Sequence, residues 1–226
     1  MSDATTDARW RRRKADRPGE IRTAALDLFA ERGFAATRME DIAERAGVTK
    51  GTVYLYFPTK EELFKAIVRA ELLPNLELLE AAAAEKVPAD KLLEKLLTAW
   101  GTGLIPARLA LVPKVMMAEA GNFPELARFY LQEVIDRGRR VLRAVLRRGV
   151  EEGSFRSMDV ESVSYCILAP FVFSVIWRHT FERHDMNPLD IPALARAHLD
   201  ILLQGLMVSP RSIGGKHAGR RSKTKK

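Results

Sequence analysis

The chain has 226 residues, 47% of them apolar, with a formal net charge of +8 and one cysteine. That length allows one or two domains with a sizeable buried core, and a lone cysteine excludes an internal disulfide. The charge excess is local: residues 1–18 carry six Lys/Arg and residues 211–226 carry seven with no acid, which leaves the body between them close to neutral. Such basic ends attract phosphate without regard to base sequence. The N-terminus is polar and basic, without the apolar segment of a signal peptide. The longest apolar run, Tyr165–Trp177, is interrupted by Pro170 and Ser174 and is shorter than the roughly 20 residues a membrane span requires. A cytoplasmic protein with no membrane partner is expected, with Cys166 a small buried hydrophobe inside that run.

In chain order, Pro18 suits the first turn of a helix, and Ile21, Ala25, Leu28 and Phe29 follow on one face. Gly33 stands where a helix C-terminus needs a left-handed residue. Thr37-Arg38-Met39-Glu40 reads as a capping box opening a helix with Met39, Ile42, Ala43 and Ala46 inward, closed by Gly47. Thr49 is a natural N-cap for a short helix from Lys50 to about Phe57, and Thr59-Lys60-Glu61-Glu62 is a second capping box. It opens a linking helix, Lys60 to Leu73, that Pro74 bends or ends. Longer helical patterns follow at about Lys91–Ile105, Ala107–Ala120, Pro124–Glu152, Val160–Arg183 and Pro192–Met207, punctuated by Pro and Gly. Pro113 and Pro170 fall inside them and predict kinks. The fold is expected to be all-α.

Two short helices with a tight turn between them, the second carrying Thr49, Lys50, Gly51, Thr52, Tyr54 and Tyr56, are the layout of a helix-turn-helix DNA reader. Such a recognition helix enters the major groove N-terminus first. Short side chains at Thr49, Gly51 and Thr52 allow close backbone approach, and the Thr52 methyl suits a thymine methyl. Lys50 reaches a guanine or a phosphate. Tyr54 and Tyr56 lie on different faces, one suited to phosphate and the other to packing. Thr37 and Lys60, at the starts of two other helices, are candidate phosphate contacts. Val53 and Phe57 are expected only to pack.

The pattern Gly33-Phe34…Thr37…Ile42-Ala43…Ala46-Gly47-Val48…Gly51…Val53-Tyr54…Tyr56-Phe57…Lys60…Leu63 resembles the DNA-binding domain of the TetR family (TetR/AcrR-type) of bacterial transcriptional regulators, over about Glu20–Val68. The resemblance implies a three-helix helix-turn-helix domain at 18–66 and a C-terminal helical bundle at 67–208 that binds a small effector and forms a homodimer, flanked by disordered basic ends at 1–17 and 209–226. It also implies that Thr37, Thr49, Lys50, Gly51, Thr52, Tyr54, Tyr56 and Lys60 face double-stranded DNA carrying a palindromic operator. Beyond Val68 the likeness is one of length and layout, with a weaker local likeness at Glu119–Leu126.

By analogy with the family's cavity, Trp100, Met116, Met117, Phe123, Tyr130, Tyr165 and Phe173 are expected to line an apolar pocket for a hydrophobic effector. Val163, Ile167, Val175 and Trp177, with Leu194, Leu199, Leu202, Leu203 and Leu206, either supply a four-helix subunit interface or close the chain's own core. No cofactor or metal is expected: His179 and His184 are five apart and lack a completing ligand set, and no nucleophile-elbow or nucleotide-loop glycine pattern occurs. The function expected is a sequence-specific homodimeric repressor released by its effector and not an enzyme. The alternative is a ligand-independent DNA-binding dimer.

Overall fold

The computed structural model describes residues 3–101 and 110–208, with side chains for 16–99 and 110–208. The Trp100 side chain and the C-terminal basic end at 209–226 therefore lie outside what is described. Eleven α-helices are described: α1 (Asp3–Arg32), α2 (Met39–Arg45), α3 (Lys50–Tyr56), α4 (Lys60–Glu71), α5 (Leu73–Ala83), α6 (Ala89–Gly101), α7 (Leu111–Glu119), α8 (Pro124–Tyr130), α9 (Asp136–Glu151), α10 (Val160–Thr180) and α11 (Ile191–Leu206). Helix α1 starts 15 residues ahead of Pro18, where the sequence placed both its start and the end of a disordered arm. Residues 3–17 contain no Gly or Pro and are rich in Ala and Arg, so helix propensity carries the helix through.

The caps follow the sequence with one shift. Thr49 Oγ1 accepts from the Thr52 N–H at 3.2 Å, and Thr59 Oγ1 from the Glu62 N–H at 3.1 Å. Helix α2, however, begins one residue later than read: the N-cap is Arg38, whose N–H donates to Asp41 Oδ2 at 3.1 Å. Thr37 is displaced from capping because its hydroxyl points inward. The break between α4 and α5 falls at Leu72, where Pro74 removes a donor, and the Asn75 amide donates to the Glu71 carbonyl at 2.9 Å.

Two apolar cores organise the chain. The first joins α1–α4 to α7 and α8: Phe29, Phe34 and Phe64 pack with ring centroids 4.9–6.1 Å apart, and Phe123 meets Phe34 edge-on at 4.7 Å. Ile67, Val68, Val112, Val115, Met116, Leu126 and Tyr130 belong to the same buried cluster. The core therefore runs straight through the boundary at 66/67 that the sequence suggested. The second core joins α6, α9, α10 and α11 through Leu92, Leu93, Leu97, Leu142, Val145, Leu146, Phe155, Ile167, Leu202 and Leu206. Between the cores, α8 runs into α9 through a π-helical turn at Leu131–Ile135, in which the Asp136 N–H donates to the Leu131 carbonyl.

Helix α10 runs unbroken through Pro170 and Ser174, whose hydroxyl donates to the Phe171 carbonyl at 2.8 Å. At 21 residues it is long and apolar enough to cross a membrane by length and composition, which corrects the shorter interrupted run read from sequence. Cys166 is exposed rather than buried, because the outer side of α10 is not covered by the other described residues: Tyr165, Val172 and Phe173 are exposed there. Of the residues weighed for a subunit interface, Ile167, Leu202 and Leu206 close the chain's own second core.

Gly149 on α9 gives way to Phe155, since a Cβ there would lie 2.1 Å from its ring. Phe155 also forms the only β-bridge among the described residues, with Met207. Gly149→Ala is expected to destabilise the chain by up to about 2 kcal/mol in chemical denaturation, because overpacking costs about 1–3 kcal/mol against the roughly 1 kcal/mol that Ala gains over Gly in a helix. Unchanged or raised stability contradicts this packing.

Candidate nucleic-acid interface

Helix α3 is anchored by Val53 and Phe57, both buried, with Tyr56 half-buried against the core and its ring 6.4 Å from that of Phe57. Tyr54 points outward. The two tyrosines thus divide as expected, one packing and one presented to solvent. Lys50 spans the turn between helices: its ammonium pairs with Glu40 on α2 and lies 5.7 Å over the Tyr54 ring. That pairing holds the Glu40 carboxyl below its usual range and raises the Lys50 ammonium. The Thr49 and Thr52 hydroxyls pair with each other at 2.8 Å. Gly51 faces open space: a Cβ there would meet only Thr49 Oγ1, at 3.9 Å. Packing against α2, the alternative reason for a glycine at this position, is therefore removed.

The two remaining predicted contacts are used by the protein itself. The Thr37 hydroxyl donates to the Gly33 carbonyl at 2.8 Å, with the Leu28 carbonyl at 3.3 Å, and the residue is buried. The Lys60 ammonium donates to the carbonyls of Phe34 at 2.6 Å, Ala35 at 3.0 Å and Thr37 at 2.9 Å, and sits 4.6 Å from the Phe34 ring centroid. An ammonium has three protons, and all three are spent on the α1–α2 turn. Both side chains thus hold the head's own turn together, a use the sequence did not suggest. Burial lowers the Lys60 pKa.

Helix α7 grips the same turn from the other side. Lys114 Nζ donates to the Ala30 carbonyl at 3.0 Å, at the C-terminal end of α1 where a cation is favoured. Glu119 Oε1 accepts from the Ala35 N–H at 3.2 Å, and its second oxygen accepts from the Asn122 amide at 3.3 Å. Gly33 adopts φ +88°, and a Cβ there would lie 3.2 Å from Glu119 Oε1. Sequence reasoning missed Lys114 and Glu119 as functional residues. The signal available was the local likeness that begins at Glu119.

The residues expected to line a pocket do not converge. Met116, Phe123 and Tyr130 lie in the first core, shared with α1–α4, where burial raises the Tyr130 hydroxyl pKa. Met117, Tyr165 and Phe173 are exposed, with the Arg139 guanidinium 4.3 Å over the Tyr165 ring. Phe173 instead stacks along α10 on Trp177, with ring centroids 5.6 Å apart. Helices α7 and α8 turn apolar side chains towards the reading head, and α10 sends Ile167 into the second core while Tyr165 and Phe173 face outward. Among the described residues no group of three or more His, Cys, Asp or Glu is placed to hold a metal ion.

A helix-turn-helix head on a helical C-terminal domain defines a DNA-binding regulator, and comparison with known proteins specifies the lineage. Residues 21–67 match the family described as bacterial regulatory proteins, tetR family, and residues 90–189 match the tetracyclin repressor-like C-terminal domain. The HTH-type transcriptional repressor KstR2 of Rhodococcus jostii is 30% identical over 195 residues, covering 85% of this chain and 92% of that protein. The structure of the ketosteroid transcriptional regulator KstR2 of Mycobacterium tuberculosis superposes with a TM-score of 0.68 at 28% identity, over 85% of this chain and 96% of that one. That of Bacillus subtilis FadR in complex with stearoyl-CoA gives 0.68 at 25% identity, over 82% and 97%. The chain belongs to the TetR family of transcriptional regulators, and it is a DNA-binding repressor of the kind controlled by a small molecule.

Lys60→Met is expected to cost about 1–2 kcal/mol of stability, since it strands three carbonyls around a charge-assisted donor, and to weaken DNA binding without changing its salt dependence. Replacing a lysine that does bind phosphate would instead reduce the slope of log affinity against log salt by about 1. Affinity measured across a salt series separates the two.

Proposed function

We propose that the chain acts as a homodimer that holds a palindromic operator through two copies of α3 and releases it when a hydrophobic effector binds the C-terminal domain. The observation that carries the DNA-reading part is Gly51. Among the described residues a Cβ at Gly51 would meet only Thr49 Oγ1, at 3.9 Å, and glycine costs a helix about 1 kcal/mol against alanine, which favours a surface that approaches the helix from outside. A duplex major groove is such a surface, with dimer half-sites about 34–36 Å apart.

The second copy is supported by α10. Tyr165, Ala169, Val172 and Ile176 recur on one side of it, with Phe173 beside them, and the exposed Ile201 adds apolar area on α11. In a DNA-binding regulator, cover by a partner subunit accounts for that face better than a lipid bilayer does. The effector class is supported by relatives, one a ketosteroid regulator and one crystallised with stearoyl-CoA. A carbon-rich acyl or ring compound is the shared chemistry.

Regulation is read through α7. Lys114 and Glu119 hold the α1–α2 turn, and Phe123 holds Phe34, so displacement of α7 reorients the whole head and not the linking helix alone. An effector shifts the population only by its differential affinity for the two seatings. Selection of random duplex DNA by the full chain at moderate salt is expected to yield an inverted repeat, and stearoyl-CoA is the first effector probe. The Lys114→Met, Glu119→Gln double variant is expected to keep operator affinity within about threefold and to lose most of the release. Binding that follows salt alone with no preferred repeat contradicts the reading and favours a ligand-independent dimer. Undiminished release in the double variant contradicts the route through α7.

A further inference from the structure

The outward pole of α3 is apolar. At about 100° per residue, Val53, Tyr56 and Phe57 mark the inward side of the helix, and the side opposite them falls to Gly51 and Leu55, one turn apart. Leu55 is 75% exposed, the most exposed large hydrophobic residue among those described on the reading head. Several polar groups on the flanks already have partners: Lys50 with Glu40 and the Tyr54 ring, Thr49 with the Thr52 N–H, and the two threonine hydroxyls with each other. At the centre of the face stands a branched hydrocarbon beside a bare stretch of backbone.

A single exposed leucine elsewhere on a surface needs no explanation. This one sits at the middle of the face that meets the groove, beside a glycine that the fold does not require. The major-groove edges of guanine, cytosine and adenine present polar groups, and thymine alone adds a methyl at C5. We infer that Leu55, admitted to the groove by the missing side chain at Gly51, is a specificity-determining residue that reads thymine C5-methyl groups in each half-site. The inference rests on α3 being the helix that enters the groove. It moves the methyl contact from Thr52, which the sequence favoured, to Leu55, because Thr52 lies to one side of the pole, half-buried and tied to Thr49.

The test uses the full chain and its selected operator, with each thymine replaced in turn by deoxyuridine, which removes the methyl and leaves base pairing intact. For the unaltered protein, one or two positions per half-site are expected to lose about fourfold in affinity each, as suits one buried methyl. In Leu55→Ala, whose exposed site leaves folding intact, thymine and deoxyuridine bind equally at those positions. In Thr52→Ser, which keeps the hydroxyl and removes the methyl, the deoxyuridine penalty persists. A deoxyuridine profile unchanged in Leu55→Ala, or one abolished by Thr52→Ser, overturns the assignment to Leu55 while leaving the operator reading in place. Failure of the full chain to select any sequence overturns both together.

Discussion

The structure depends on how the turn between α1 and α2 is satisfied. Its carbonyls at Phe34, Ala35 and Thr37 and its N–H at Ala35 belong to no helix, and buried or half-buried backbone groups must find partners. They find them on two elements distant in sequence: the Lys60 ammonium of α4 takes the three carbonyls, and the Glu119 carboxylate of α7 takes the N–H. Phe34 lies between these clasps and stacks on Phe29, Phe64 and Phe123. The turn that sets α2 and α3 relative to α1 is thereby set by the C-terminal domain as well. A reading head built this way is one end of a shared core, and its orientation answers to whatever moves α7.

The reading surface itself is close to electrically neutral. Lys50 is offset by Glu40, Arg45 pairs with Glu31 at 2.8 Å, and Arg32 is 3.9 Å from Asp41. These pairs are exposed and contribute little to stability. With the cations of the head partly offset, the net positive charge of the sequence is concentrated at its two ends.

Much of the head was legible in the sequence because its signals are local. Thr49 and Thr59 cap as read, Val53 and Phe57 pack as read, and Gly33 and Gly47 take positive φ at the ends of α1 and α2. The failures occur where a long-range partner outbid a local one. Thr37 looked like a cap, but the carbonyls of Leu28 in α1 and Gly33 just after it claim its hydroxyl, and Asp41 caps from inside α2. Lys60 looked like a phosphate ligand, but carbonyls some 25 residues back claim it. The residues named for a pocket are less legible for a related reason. An aromatic or methionine on an apolar helix face carries no mark of whether that face meets a cavity, the reading head or a second subunit, and here Met116, Phe123 and Tyr130 meet the head while Tyr165 and Phe173 face outward.

Coupling between the head and the C-terminal domain requires that α1–α4 share one core with α7 and α8. Native-state amide hydrogen exchange tests this directly, because cooperative units exchange with a common opening free energy. Amides of Leu28, Phe29, Ile42 and Leu63–Val68 in the head and of Val115 and Met116 in α7 are expected to exchange with one free energy and to respond together to denaturant. A head that opens at distinctly lower free energy while the α7 amides stay protected contradicts the claim that one core joins DNA reading to the C-terminal domain.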